Sequence, residues 1–170
     1  MTLIELLVSL FIVAVMTVVA IPLFSSYQKR NTLDSDAQSI AQFFSYARAV
    51  NSNPDVMTRL NAAGESYFEI NIKNANNGKI ITLYPKSDPS YVMDKFYLNS
   101  AEQLTINGSD LSDFTVSVRG KPPKESITCS HNIDCSTLTI KVYLANNQLI
   151  YRNIVVKNSQ QNQLFSVTVE

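Results

Sequence analysis

The sequence predicts an α+β chain in which one long N-terminal α-helix is laid against an antiparallel β-sheet. Three observations carry this prediction. Residues 6–24, LLVSLFIVAVMTVVAIPLF, contain no charged side chain. Residues 28–52 repeat apolar side chains at helical spacing. Beyond residue 54, several segments alternate apolar and polar residues with period two between loops crowded with Asn, Gln and Ser.

The apolar run comes first. At 1.5 Å per residue it would be roughly 28 Å long as a helix, close to the thickness of a bilayer's hydrocarbon core. A secretory signal peptide would need a basic N-terminal region, whereas residues 2–5 carry an acid and no base. A core helix is rarely apolar on every face for five turns in a chain of this size. A plain single-pass anchor is also consistent with the run, with Lys29 and Arg30 marking the cytoplasmic side. That reading leaves Glu5 without a task, because an acid at the edge of such a segment costs about 2 to 3.5 kcal/mol on insertion scales. The nearest cation is the α-amino group of Met1, either of the same chain or of a neighbouring parallel one.

In the next segment Leu33, Ala37, Ile40, Phe44, Ala47 and Val50 follow one another at steps of four, three, four, three and three, with Ala41 and Phe43 widening the stripe. Lys29, Arg30, Asp34, Asp36, Gln38, Gln42 and Arg48 lie mostly elsewhere, so the segment is amphipathic. Read as one element, the helix would be some 75 Å long and end before Pro54, which disfavours helical geometry at Asn53. The expected divisions are therefore residues 1–27, the apolar half-helix; 28–53, the amphipathic half; and 54–170, the sheet.

SYFEINIK and KIITLY flank NANNG, a hairpin signal in which Asn77 and Gly78 suit positive φ. YVMDKFYL, EQLTI, DFTVSVR, TLTIKVYL, QLIYRNIVV and QLFSVTV follow, with a second hairpin across ANN. Together they predict one antiparallel sheet with a face on the helical stripe.

Composition excludes several chemistries. Fourteen basic and fourteen acidic residues leave no net charge, which argues against a nucleic-acid binder driven by electrostatics. One His and two Cys are too few for a structural zinc site, and no Gly-rich phosphate loop occurs. His131, Ser130 and Asp134 are near in sequence but constitute no catalytic triad, so no enzyme, cofactor or metal is expected.

The opening MTLIELLVSLFIVAVMTVVAIPLFSSYQKRN combines a hydrophobic first residue, Thr2, Leu3, Glu5, the apolar run and Pro22. It resembles the N-terminus of mature type IV pilins and type II secretion pseudopilins, with Met1 standing where Phe is commonest. The resemblance implies the pilin fold, a numbering that begins at the mature chain, and a prepilin peptidase that cuts before Met1 and methylates its amine. It implies further partners: membrane lipid before assembly, an inner-membrane assembly platform, and copies of the same chain, whose Met1 amine Glu5 would neutralise, with Thr2 part of the same assembly signature. Pro22 removes a backbone donor and frees the carbonyl of Val18, from which a kink or melting over residues 14–22 is expected.

The element order also resembles GspH/FimT-like minor pilins and pseudopilins, some of which bind DNA through a basic C-terminal strand. After Lys124 only Lys141, Arg152 and Lys157 are basic here, so DNA capture is not supported. In an exported domain Cys129 and Cys135 are expected to pair. The expected function is that of a major pilin, held in the inner membrane and then polymerised into an extracellular surface filament for adhesion, twitching motility or DNA uptake. The alternatives are a minor pilin or pseudopilin of a secretion system, and a single-pass membrane-anchored binding module.

Overall fold

The computed structural model describes residues 2–53, 67–75, 78–99, 101–119, 126–131, 135–158 and 165–170. Met1, Asn77 and Asp134 lie outside them, as does the first stretch after Asn53. A single helix, α1, runs over Leu3–Ser52. Thr2 is its N-cap with an extended backbone, and Asn53 closes it, also extended, donating its N–H to the carbonyl of Val50 at 3.1 Å. The stop therefore falls where Pro54 bars a further helical residue.

The helix runs without interruption through Pro22. Of the kink or melting expected over residues 14–22, no melted turn occurs: one proline deletes a single rung, and the ladder on either side holds the segment helical.

Nine strands follow: β1 (Tyr67–Ala75), β2 (Gly78–Pro85), β3 (Asp94–Tyr97), β4 (Glu102–Ile106), β5 (Asp113–Arg119), β6 (Ser126–Cys129), β7 (Thr137–Leu144), β8 (Asn147–Asn158) and β9 (Phe165–Val169). They do not make the single sheet expected. One five-stranded antiparallel sheet has the order β3-β2-β1-β5-β6, and a separate four-stranded one has the order β4-β7-β8-β9. Both predicted hairpins are present, β1 with β2 closing at Ala75 opposite Gly78, whose φ is +130°, and β7 with β8 closing at Leu144 opposite Asn147. β3 is shorter than YVMDKFYL suggested, and β6 has no counterpart among the segments predicted as strands.

The buried stripe of α1, namely Leu33, Ala37, Ile40, Phe43, Phe44, Ala47 and Val50, matches the sequence pattern and packs on both sheets. Phe68, Ile70 and Ile72 of β1 and Phe114 and Val116 of β5 face it from the larger sheet, all fully buried. Ile140 and Val142 of β7 and Ile154 and Val156 of β8 do so from the smaller. Between the sheets sits a buried lysine. The Nζ of Lys79 on β2 donates to the carbonyls of Leu104 at 3.0 Å and Leu111 at 3.3 Å and pairs with Asp110. Three acceptors offset the cost of taking the ammonium out of water, and they tie the two sheets together.

Candidate functional site: the uncovered half of the helix

From Leu3 to Tyr27 every large apolar side chain is exposed. Leu3 is 81% accessible, Phe11 70% and Val18 73%, whereas seven turns further on the stripe residues are at or near zero. The sheets cover only the amphipathic half, because only there is the apolar surface gathered into a stripe that a domain of this size can cover. The uncovered half is long and apolar enough to cross a membrane.

The two hydroxyl interruptions of residues 6–24 are accommodated internally. Ser9 donates to the carbonyl of Glu5, and Thr17 Oγ1 donates to that of Val13 at 2.7 Å, so neither hydroxyl seeks a partner outside the helix. Lys29 and Arg30 are exposed just beyond the apolar segment and bound it with positive charge.

At the tip, the structure brings Thr2 and Glu5 together. The carboxylate Oε2 of Glu5 accepts the backbone N–H of Thr2 at 2.9 Å and its hydroxyl at 3.3 Å. This is the T-x-x-E arrangement that closes helix N-termini: an N3 acid satisfies a backbone donor that has no intrahelical partner and meets the positive end of the helix dipole. The spacing was visible in the sequence as a Thr three residues before an acid and ahead of an apolar run, yet it went unused there. Glu5 therefore has a partner inside its own chain. Ile4, Val8, Ser9 and Ile12 line a shallow groove beside it. Pro22 stands about 25 Å along the helix from Glu5 and takes no part at the tip.

Cys129 and Cys135 form a disulfide with Cα atoms 6.0 Å apart. Cys129 ends β6, the edge of the larger sheet, and Cys135 precedes β7 of the smaller one, so the bond is a second tie between sheets. Within the loop His131 adopts φ +64° and is exposed; its Nδ1 lies 2.9 Å from Ser130 Oγ, which itself accepts the N–H of Thr115. Ser130 is thus occupied as a structural acceptor. No group of three or more His, Cys, Asp or Glu able to hold a metal occurs among the described residues.

A polar contact fastens the spine to the smaller sheet, and the sequence pattern did not signal it. Arg152 of β8 pairs with Asp34 of α1, Nε to Oδ1, at 2.6 Å. Glu102, the first residue of β4, is almost fully buried, and burial first and then the neighbouring Asp36 of α1 push its carboxyl up to about 8. Of the basic residues after Lys124, Arg152 is spent on Asp34, and Lys141 lies 4.0 Å from the ring centroid of Tyr151, a cation–π contact.

The architecture, a long N-terminal apolar helix followed by antiparallel sheet, is compatible with a pilin-like fold. No protein-family model, no curated protein and no solved structure matches the chain.

Proposed function

We propose that this chain is a structural subunit of a type IV pilus, a major pilin held in the inner membrane by the first half of α1 and then polymerised into a surface filament. The observation that carries the reading is the exposure of every large apolar side chain from Leu3 to Tyr27 next to a half whose apolar stripe is buried. Such a surface is stable only in lipid or against other apolar helices, and a filament core of parallel copies supplies the second environment after the membrane has supplied the first. The sheets then form the outer surface, and the reading is non-enzymatic. Prepilin peptidase and an inner-membrane platform are its implied partners, and methylation of the Met1 amine its implied modification.

The local bond between Glu5 and Thr2 favours a second reading, a single-pass anchored binding module in which Glu5 is only a helix cap. The two readings separate on Glu5→Gln. Glutamine serves at this position of a capping box, but it cannot neutralise the amine of a neighbouring chain. Filaments sheared from cells and viewed by negative stain are expected to vanish with Glu5→Gln as they do with Glu5→Ala. Filaments that persist with Glu5→Gln would leave the capping role alone and remove the case for polymerisation through charge. Mass spectrometry of the subunit's N-terminus, expected to report one methyl group, completes the test.

A further inference from the structure

The face of the smaller sheet turned away from α1 has an order of its own. Leu138, Ile140 and Val142 of β7 are buried toward the helix, so Thr139, Lys141 and Tyr143 stand on the opposite face. The register sets Thr105 of β4 beside Lys141 and Gln103 beside Tyr143, with Asn153 and Tyr151 of β8 on their other flank. Tyr143 is 8% exposed although it lies on the solvent side, so its ring is a fixed wall.

The ammonium of Lys141 sits 4.0 Å from the ring centroid of Tyr151 and 5.9 Å from that of Tyr143. Ring faces attract a cation, but they do not satisfy its N–H donors as an oxygen does. No carboxylate or carbonyl among the described residues takes one of those donors. Asp110 is paired with Lys79, and Glu170, opposite Asn153, stands two strands from Lys141, about 10 Å away. The charge is held in place without a counter-ion.

Beside it is a hollow of about 300 Å³ lined by Thr105, Gly108, Lys141, Tyr143 and Gln148. One rim is pre-formed. Asn107 and Gly108 take φ of +47° and +82°, as a two-residue hairpin turn requires, and Ile106 and Ser109 exchange backbone bonds of 2.8 and 2.9 Å across them. Asn107 ties this turn to β7, donating its N–H to the carbonyl of Thr139 and accepting the N–H of Thr139 on Oδ1, each at 2.8 Å. The space where a Cβ of Gly108 would point is open.

We propose that this hollow binds a sugar acid, a pyranose bearing a carboxylate, with Lys141 on the carboxylate, the Tyr143 ring against the C–H face of the sugar, and Gln148 and Thr105 on its hydroxyls. The volume suits one monosaccharide. A single uncompensated lysine matches a monoanion, whereas a phosphate dianion calls for more cation than the hollow holds. An amide and a hydroxyl both donate and accept, as sugar hydroxyls demand. The site lies on the sheets of each copy and does not depend on how copies assemble.

Saturation-transfer NMR titrations of the full chain in detergent micelles test this, with methyl galacturonate as probe and neutral methyl galactoside as control. The acid is expected to bind about tenfold more tightly than the galactoside, the worth of one charge-assisted hydrogen bond, and about tenfold more tightly than acetate, which has the charge without the ring. Lys141→Gln should remove the preference for the acid. Gln148→Ala, at an exposed position, should weaken galacturonate about threefold while keeping that preference, and it carries the test if the lysine variant fails to fold. Equal binding of acid and neutral sugar, acetate as tight as galacturonate, or variants indistinguishable from wild type would overturn the sugar-acid site. Tighter binding of a short glutamate peptide than of galacturonate would overturn it as well, by marking a surface for protein instead.

Discussion

The two halves of α1 are built from similar apolar residues and meet opposite fates. In residues 3–27 the large apolar side chains point in every direction and all are exposed; in residues 33–50 all but Ala41, Tyr46 and Ala49 form one stripe buried by two sheets. The difference is one of angular distribution rather than hydrophobic content. A sheet can cover a stripe about 100° wide, but it cannot surround a cylinder, so a helix apolar all round must find lipid or other helices. In one continuous element the chain therefore carries a segment its own domain satisfies and a segment that only another environment can.

Removing a large ring from each half gives the sharpest contrast. Phe44→Ala should destabilise the folded sheets by about 3 to 5 kcal/mol in denaturant titrations of the micelle-bound protein, since the ring is fully buried between spine and strands. Phe11→Ala, 70% exposed, should change that same transition by under about 0.5 kcal/mol. Comparable losses from both would mean that the sheets fold back on the apolar half and would break the comparison.

Replacing Cys129 and Cys135 by Ser acts on the covered region alone. With the cysteines six positions apart, the expected loss is about 2 kcal/mol in the same titration. Far-ultraviolet helicity of the apolar half should be retained, and a concurrent loss there would couple the two regions.

Within the covered region the smallest effect belongs to Asp34→Asn. Both partners of its ion pair are more than a third exposed, so solvent screening limits the cost to about 0.5 to 1 kcal/mol. The difference from wild type should shrink as salt is raised toward 1 M. A salt-independent loss of several kcal/mol would identify Asp34 as part of the core contact rather than of its rim.

Several elements were legible in the sequence because their causes are local. The steps between Leu33, Ala37, Ile40 and Phe44 specified which face of the helix is buried, and Asn53 before Pro54 specified where it stops. EQLTI, DFTVSVR and TLTIKVYL coincide with β4, β5 and β7 residue for residue. SITC was overlooked because β6 is four residues long and edge-bound, and it owes its extended form to pairing with β5 rather than to a pattern of its own. The tip was half legible: Glu5 was singled out for its cost, but the donor it meets within the chain, the N–H of Thr2, is backbone and is not displayed by residue type.

What the sequence by itself determined is the partition of the chain into an all-round apolar helix, an amphipathic continuation and alternating strands, because periodicity is a property of neighbours. Only the tertiary structure decided that the strands divide into two sheets, that Lys79 and the disulfide join them, and that Arg152 meets Asp34 across 118 positions of sequence. Those contacts depend on where distant segments come to lie around the helix, and composition and spacing do not encode which acid or carbonyl a buried side chain will find there.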